Sequence, residues 1–245
     1  MLKVILVASG KGGTGKTSPT AGVGAALAQL GSKVLLIDGD CGLRNLDIVL
    51  GMSDRVVYSF ADVAGGAVPL ADAMACHPDM KTLYLLTAPV ALPALSERGM
   101  EQLAVQAEEA GFDYLLIDGP AGLPAELSFL AHIATQAIIV TSTDRVCPRR
   151  GTLRPQAGGG ILHPAHPHGA QPRAPAAHQP RQIRQHRRRD GRSGTSLLGL
   201  VPEDVDLISC SNSGRSIHAV KHTGAARAFV NIARRLNGER IPLKL

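Results

Sequence analysis

The stretch Gly10-Lys11-Gly12-Gly13-Thr14-Gly15-Lys16-Thr17 lies between an apolar run, Leu2 to Ala8, and a run of helical spacing, Thr20 to Leu30. It satisfies the pattern G-x-x-x-x-G-K-[ST], in which a strand enters a glycine-rich turn and a helix leaves it. Such a turn aims successive backbone N–H groups and the positive end of the helix dipole at one point, which suits a di- or triphosphate. The glycines let the backbone close around the phosphate without a Cβ in the way. Lys16 is placed to reach the β- and γ-oxygens, and the Thr17 hydroxyl is able to ligate Mg2+. Gly10, Lys11, Gly12, Gly13, Thr14, Gly15, Lys16, Thr17 and the adjoining Ser18 are therefore the expected nucleotide-binding residues.

Downstream of this turn, Ala21, Val23, Ala25, Ala26, Leu27, Ala28 and Leu30 give a helix of small residues able to lie close against a sheet, with Gly31 placed to end it. Pro19 falls in the first turn, where N–H groups lack intrahelical partners anyway. Lys33 to Asp38 then reads as a buried strand closed by a carboxylate, and Tyr114 to Asp118 repeats that pattern. In doubly wound sheets ligands bind just beyond such strand ends, so Asp38, Asp40 and Asp118 are expected to face the phosphates. Further strands are expected at Leu83 to Thr87 and Ala137 to Thr141. Helices are expected at 59 to 66, Ala71 to Ala75, Glu97 to Ala110, Leu127 to Ala134 and Thr223 to Leu236. Hydrophobic residues make up 44% of the 245 and aromatic ones 3%, so the core is built from Ala, Val, Leu and Ile, as in parallel sheets buried on both faces. The expected fold is α/β: one domain over 1–245, with a doubly wound, mainly parallel sheet and helices on both faces.

Charge and cysteines narrow the function classes. The total of +6 is concentrated: residues 145 to 192 hold eleven arginines against one acid, Asp190, which leaves the rest of the chain at −4. Cys41, Cys76, Cys147 and Cys210 have no CxxC spacing, which argues against a zinc site or a disulfide framework and for a reducing compartment. Leu2 to Ala8 is too short to span a bilayer and opens a folded motif, so it reads as neither signal peptide nor membrane helix.

Lys11 directly before Gly12-Gly13, the pair Asp38-Gly39-Asp40 and the hexapeptide Gly42-Leu43-Arg44-Asn45-Leu46-Asp47 resemble the deviant Walker A P-loop ATPases of the ParA/MinD family. The hexapeptide is the narrower feature and points to the MinD branch, the septum-site-determining ATPases. The resemblance implies ATP hydrolysis to ADP and phosphate with Mg2+ as cofactor. It also implies an ATP-dependent homodimer that acts as a switch in placing the division site. Lys11, Lys16 and Asp40 would be catalytic, with Lys11 reaching the ATP of the partner subunit and Asp40 positioning the attacking water. Thr17, Asp38 and Asp118 would hold or orient the metal, Gly122 would lie near the γ-phosphate in the second switch loop, and Pro202 is carried over as a nucleotide contact. MinC- and MinE-like proteins are the implied partners, and the implied location is cytoplasmic. Family members continue into a C-terminal amphipathic helix that binds anionic lipid, whereas this chain stops at Leu245, so peripheral attachment at the inner face of the membrane is left open. A ParA-like partition or flagellar-number ATPase is the alternative within the family.

The segment 145–193 interrupts this picture. Residues 145 to 192 hold seven prolines, five histidines and no lysine, and no period of 3.6 or 2 survives there. Three readings stand: a disordered basic linker, a nucleic-acid-binding arm, and an out-of-frame stretch flanked by two compensating indels in a GC-rich gene. The third explains most. The segment replaces the part that in relatives carries a helix, a strand and an Asn-Arg pair for adenine, and family-like sequence resumes at Leu197 to Asp204. A nucleic-acid partner is accordingly not expected, and a non-enzymatic remnant is the alternative of another class.

Overall fold

The computed structural model describes residues 1–9, 14–41, 44–91, 95–120, 128–141, 160–165, 196–202, 204, 209–210 and 224–243. Apolar runs bounded by turn residues become strands because a sheet covered on both faces buries every side chain, not alternate ones. Thus β1 (Lys3–Ala8) sends Ile5 and Val7 to one face and Val4 and Leu6 to the other, and all four are buried. The same division runs through β2 (Val34–Asp38) and β5 (Tyr114–Asp118), which are buried along their whole length. With β3 (Ala75–Cys76), β4 (Leu83–Leu86), β6 (Gln136–Val140), β7 (Gly160–Ala165) and β8 (Ser196–Pro202) they form one sheet of order β3-β4-β2-β5-β1-β6-β7-β8. Every pairing is parallel except β3 against β4.

One face is covered by α1 (Thr17–Gln29), α2 (Leu46–Leu50) and, last in the described chain, α7 (Gly224–Leu236). The other is covered by α3 (Phe60–Ala64), α4 (Leu70–Ala73), α5 (Glu97–Glu109) and α6 (Ser128–His132). The doubly wound expectation therefore holds. Local chemistry starts and stops these helices. Ser59 caps α3 in a reciprocal box with Asp62, whose carboxylate accepts the Ser59 N–H at 2.7 Å. The Ser96 hydroxyl accepts the Gly99 N–H at the start of α5. Gly31, at φ +93°, follows α1 as expected. Close packing on the first face depends on small residues: a Cβ at Gly22 would overlap the buried ring of Phe229 from α7.

Within the segment 145–193 the described residues form one strand, β7. Residues 160–165 run parallel between β6 and β8, pairing from Ile138↔Gly160 to Val140↔Leu162 on one side and from Gly160↔Ser196 to Ala165↔Pro202 on the other, with a register shift between Ile161 and Leu162 on the β8 side. Periodicity missed it because backbone hydrogen bonds to two neighbours, rather than a pattern of side chains, define the strand. Pro164 lies beyond the last residue paired with β6, where the strand has one neighbour and a missing N–H is tolerated. The remainder of 145–193 lies outside the described residues.

Candidate active site

Three strand ends meet at one edge of the sheet. Asp118 of β5 stands in register with Asp38 of β2 on one side and Val7 of β1 on the other. Pairing continues past the ends, with the Gly39 N–H donated to the Asp118 carbonyl at 2.9 Å and the Gly119 N–H to that of Val7 at 2.8 Å. Adjacent parallel strands are about 4.8 Å apart, so two carboxylates are forced into proximity by the ladder itself. Both are buried, Asp118 at 2% exposure and Asp38 at 1%.

Helix α1 faces this pair. The Thr17 hydroxyl donates to Asp118 Oδ2 at 2.7 Å, and Thr20 Oγ1 lies 3.0 Å from Oδ1. Burial pushes Asp118 up to about 7; the Thr17 bond opposes the rise, the charge of Asp38 adds to it, and Thr20 and Lys16 oppose it. Burial likewise pushes Asp38 up to about 6, opposed by two backbone bonds and reinforced by the charges of Asp40 and Asp47. Those bonds tie the loop after β2 to the strand end: the Asp40 N–H reaches Asp38 Oδ1 at 3.0 Å and the Leu46 N–H reaches Oδ2 at 3.1 Å.

The glycine-rich turn feeds directly into α1, with Lys16 at its N-cap and buried to 8% exposure. Gly15 sits at φ +73° with open space where a Cβ would stand, so conformation alone requires glycine there. Thr14 is buried, and its Oγ1 has no hydrogen-bond partner among the described residues, a lack that a phosphate oxygen would make good. The oxygen donors Thr17, Asp38 and Asp118 are of the hard type that Mg2+ takes. The residues present thus fit a magnesium nucleotide.

Of the residues singled out from the sequence, Thr14, Gly15, Lys16, Thr17, Ser18, Asp38 and Asp118 come together at this edge, with half-buried Asp40 two residues beyond β2. Pro202 closes β8 at the same edge but three strands from β1, a spacing of about 14 Å. Gly10, Lys11, Gly12, Gly13 and Gly122 lie outside the described residues.

Two features escaped the sequence reading. Thr20 is fully buried against Asp118, and the available signal was its i+3 spacing from Thr17 on the same helix face. Arg44 adopts φ 45°, a left-handed conformation that costs a non-glycine residue on the order of 1 kcal/mol. Its guanidinium is held by Thr87 Oγ1 at 3.0 Å and by Asp47 at 3.6 Å, which fastens the hexapeptide to the end of β4.

Comparison with known proteins identifies the family. The ParA family profile, described as NUBPL iron-transfer P-loop NTPase, matches residues 1–150. The septum site-determining protein MinD of Thermotoga maritima is 34% identical over 260 residues, covering 100% of this chain and 91% of the relative. Among solved structures, the MinC:MinD cell division complex of Aquifex aeolicus superposes with a TM-score of 0.79 at 30% identity, covering 99% of this chain and 98% of that one. MinD of Pyrococcus horikoshii, complexed with Mg-ADP, gives a TM-score of 0.76 at 27% identity over 97% and 96% of the two chains. The chain belongs to the MinD family of P-loop ATPases, the septum-site-determining proteins.

Proposed function

We propose that the chain is an ATP-dependent dimerising switch in which hydrolysis resets assembly, used in placing the division septum. One observation carries this reading: the buried Asp38 and Asp118 carboxylates stand side by side at adjacent strand ends, faced by the Thr17 hydroxyl and the charge of Lys16. Phosphoryl transfer to water asks for in-line positioning and charge neutralisation more than for covalent chemistry. Lys16 and the amides of the turn hold the β- and γ-phosphates. Thr17 would hold Mg2+ by its hydroxyl oxygen, with Asp38 and Asp118 orienting the metal's surroundings. Bound there, Mg2+ supplies positive charge to the phosphate oxygens.

Asp40, anchored through its N–H on Asp38, positions the water that attacks the γ-phosphorus as the bond to the bridging oxygen of ADP breaks. Lys11 serves the neighbouring subunit's ATP, and trans charges of this kind contribute about 10³–10⁵ in rate in GTPases. Hydrolysis breaks the link between the β- and γ-phosphates, so once phosphate leaves, the group that Lys11 reaches across the dimer is gone and the dimer falls apart.

The Aquifex structure is a complex with MinC, which supports a MinC-like partner here, and a MinE-like protein is the proposed regulator. Among the described residues no helix is long and apolar enough to cross a membrane, and any attachment we propose is peripheral.

Sedimentation velocity tests the switch. The expected result is a dimer with Mg-ATP and a monomer with Mg-ADP. Lys11→Ala should bind ATP yet remain monomeric, and Asp40→Ala should stay dimeric in ATP with turnover reduced by about 10² or more. A wild-type chain whose mass ignores the nucleotide, or a Lys11→Ala variant that dimerises and turns over normally, would refute it.

A further inference from the structure

The geometry points to Thr20 as a positioning residue for the magnesium site, an inference that rests on the reading of Thr17 and Asp118 as its core. Thr17 and Thr20 lie one turn apart on α1 and grip opposite oxygens of one carboxylate, Oδ2 at 2.7 Å and Oδ1 at 3.0 Å. Each position has a distinct consequence. A hydroxyl that ligates a cation through its oxygen must send its hydrogen elsewhere, and for Thr17 the acceptor is Asp118 Oδ2. That works only while the carboxylate plane keeps Oδ2 turned toward α1.

Thr20 fixes the plane. Its hydroxyl also lies 3.0 Å from the Lys16 carbonyl, which accepts the Thr20 backbone N–H at 3.0 Å as part of the helix. A carboxylate is a stronger acceptor than a carbonyl already engaged in a helix bond, so the single hydroxyl hydrogen goes to Asp118. Thr20 is 0% exposed, so no water competes for it, and Asp118 has almost no solvent to take over Oδ1 if the hydroxyl is removed. Thr20 touches neither nucleotide nor metal; it acts through Asp118 on the hydroxyl that does. Partners of this outer kind are worth about 10–100-fold in metal affinity.

The test compares wild type, Thr20→Val, Thr20→Ala and Thr20→Ser by titration calorimetry with the non-hydrolysable analogue AMPPNP. Each chain is titrated in EDTA and again at a series of Mg2+ concentrations, after a cooperative melt in EDTA confirms that it is folded. Thr20→Val is nearly isosteric and loses only the donor. Thr20→Ala serves if the valine chain does not fold, and Thr20→Ser keeps the donor.

The expected result is metal-free AMPPNP affinity within about twofold of wild type in every variant. The Mg2+ concentration needed for half of the affinity gain should rise about 10–100-fold in Thr20→Val and Thr20→Ala and return close to wild type in Thr20→Ser. Overturning results are an unchanged Mg2+ requirement in the donor-less variants, an equal loss with and without metal, or failure of serine to rescue. If wild type itself gains nothing from Mg2+, the magnesium-site reading falls first, and that outcome is separable from the others.

Discussion

Asp118 and Asp38 are carboxylates kept out of water at the price of a raised pKa, and the cost has a sign that can be measured. An exposed carboxylate titrates near 3.9. With folded values of about 7 and about 6, the native state binds more protons than the unfolded chain from roughly pH 4 upward. Stability of the nucleotide-free chain should therefore be full below pH 4 as far as these two groups are concerned. It should decline as pH rises through 6 and 7, by on the order of a few kcal/mol. Urea midpoints in EDTA at pH 5, 6, 7 and 8 check this. The expected result is a falling midpoint and a shallower fall in Asp118→Asn; a midpoint that rises with pH, or the same slope in both chains, would contradict it. A bound divalent cation offsets the clustered negative charge, so Mg-ADP should flatten the wild-type slope.

At the scale of elements, the sheet face that carries the site is closed by α1 and α7, which pack against each other as well as against the strands. Gly22 makes that approach possible. Gly22→Ala forces a methyl into the Phe229 ring and should destabilise the chain by about 1–3 kcal/mol, read by denaturant unfolding. Gly24→Ala meets the end of the buried Leu36 side chain, its two methyls at 2.7 and 3.1 Å, which can turn aside more readily than a ring, and it gains helix propensity, so it should cost less than Gly22→Ala. Combined with Phe229→Ala, Gly22→Ala should cost less than the sum of the two, because the clash is gone; strict additivity would show that the two residues do not meet.

The elements that carry the site were legible because they announce themselves twice, by an apolar run and by its terminal carboxylate: β1, β2 and β5 lie where the sequence puts them. Helix α1 begins at Thr17 instead of Thr20 because Lys16 of the turn is itself its N-cap. Helix α2 starts in the last two residues of the hexapeptide and runs past it; Leu46, Val49 and Leu50 are buried at helical spacing, but five residues ended by a left-handed Gly51 are too few for periodicity to register. β3, two residues long, and β7, set by its neighbours, leave no pattern of side chains to find. Of the site, the titratable members were legible, whereas the Asp40 and Leu46 amides that fix Asp38 belong to backbone geometry no composition reveals.

Taken as a whole molecule, the chain gathers Lys16, Thr17, Asp38 and Asp118, contributed by α1, β2 and β5, on one edge of the sheet. β7 and β8 extend the same sheet on the far side of β1, and α7 packs against β8 and α1. Nucleotide that binds only the folded state must therefore stabilise the domain as a unit. The most direct test is the calorimetric melt of the full chain with and without Mg-AMPPNP at about 100 times its dissociation constant, run beside Lys16→Ala. Binding at that level is worth about 2.7 kcal/mol, which for a domain of this size shifts the transition by roughly 5–10 °C. One cooperative transition is expected, moving up in wild type and staying fixed in Lys16→Ala; a wild-type transition that does not move, or one that moves equally in the variant, would refute nucleotide binding at this edge.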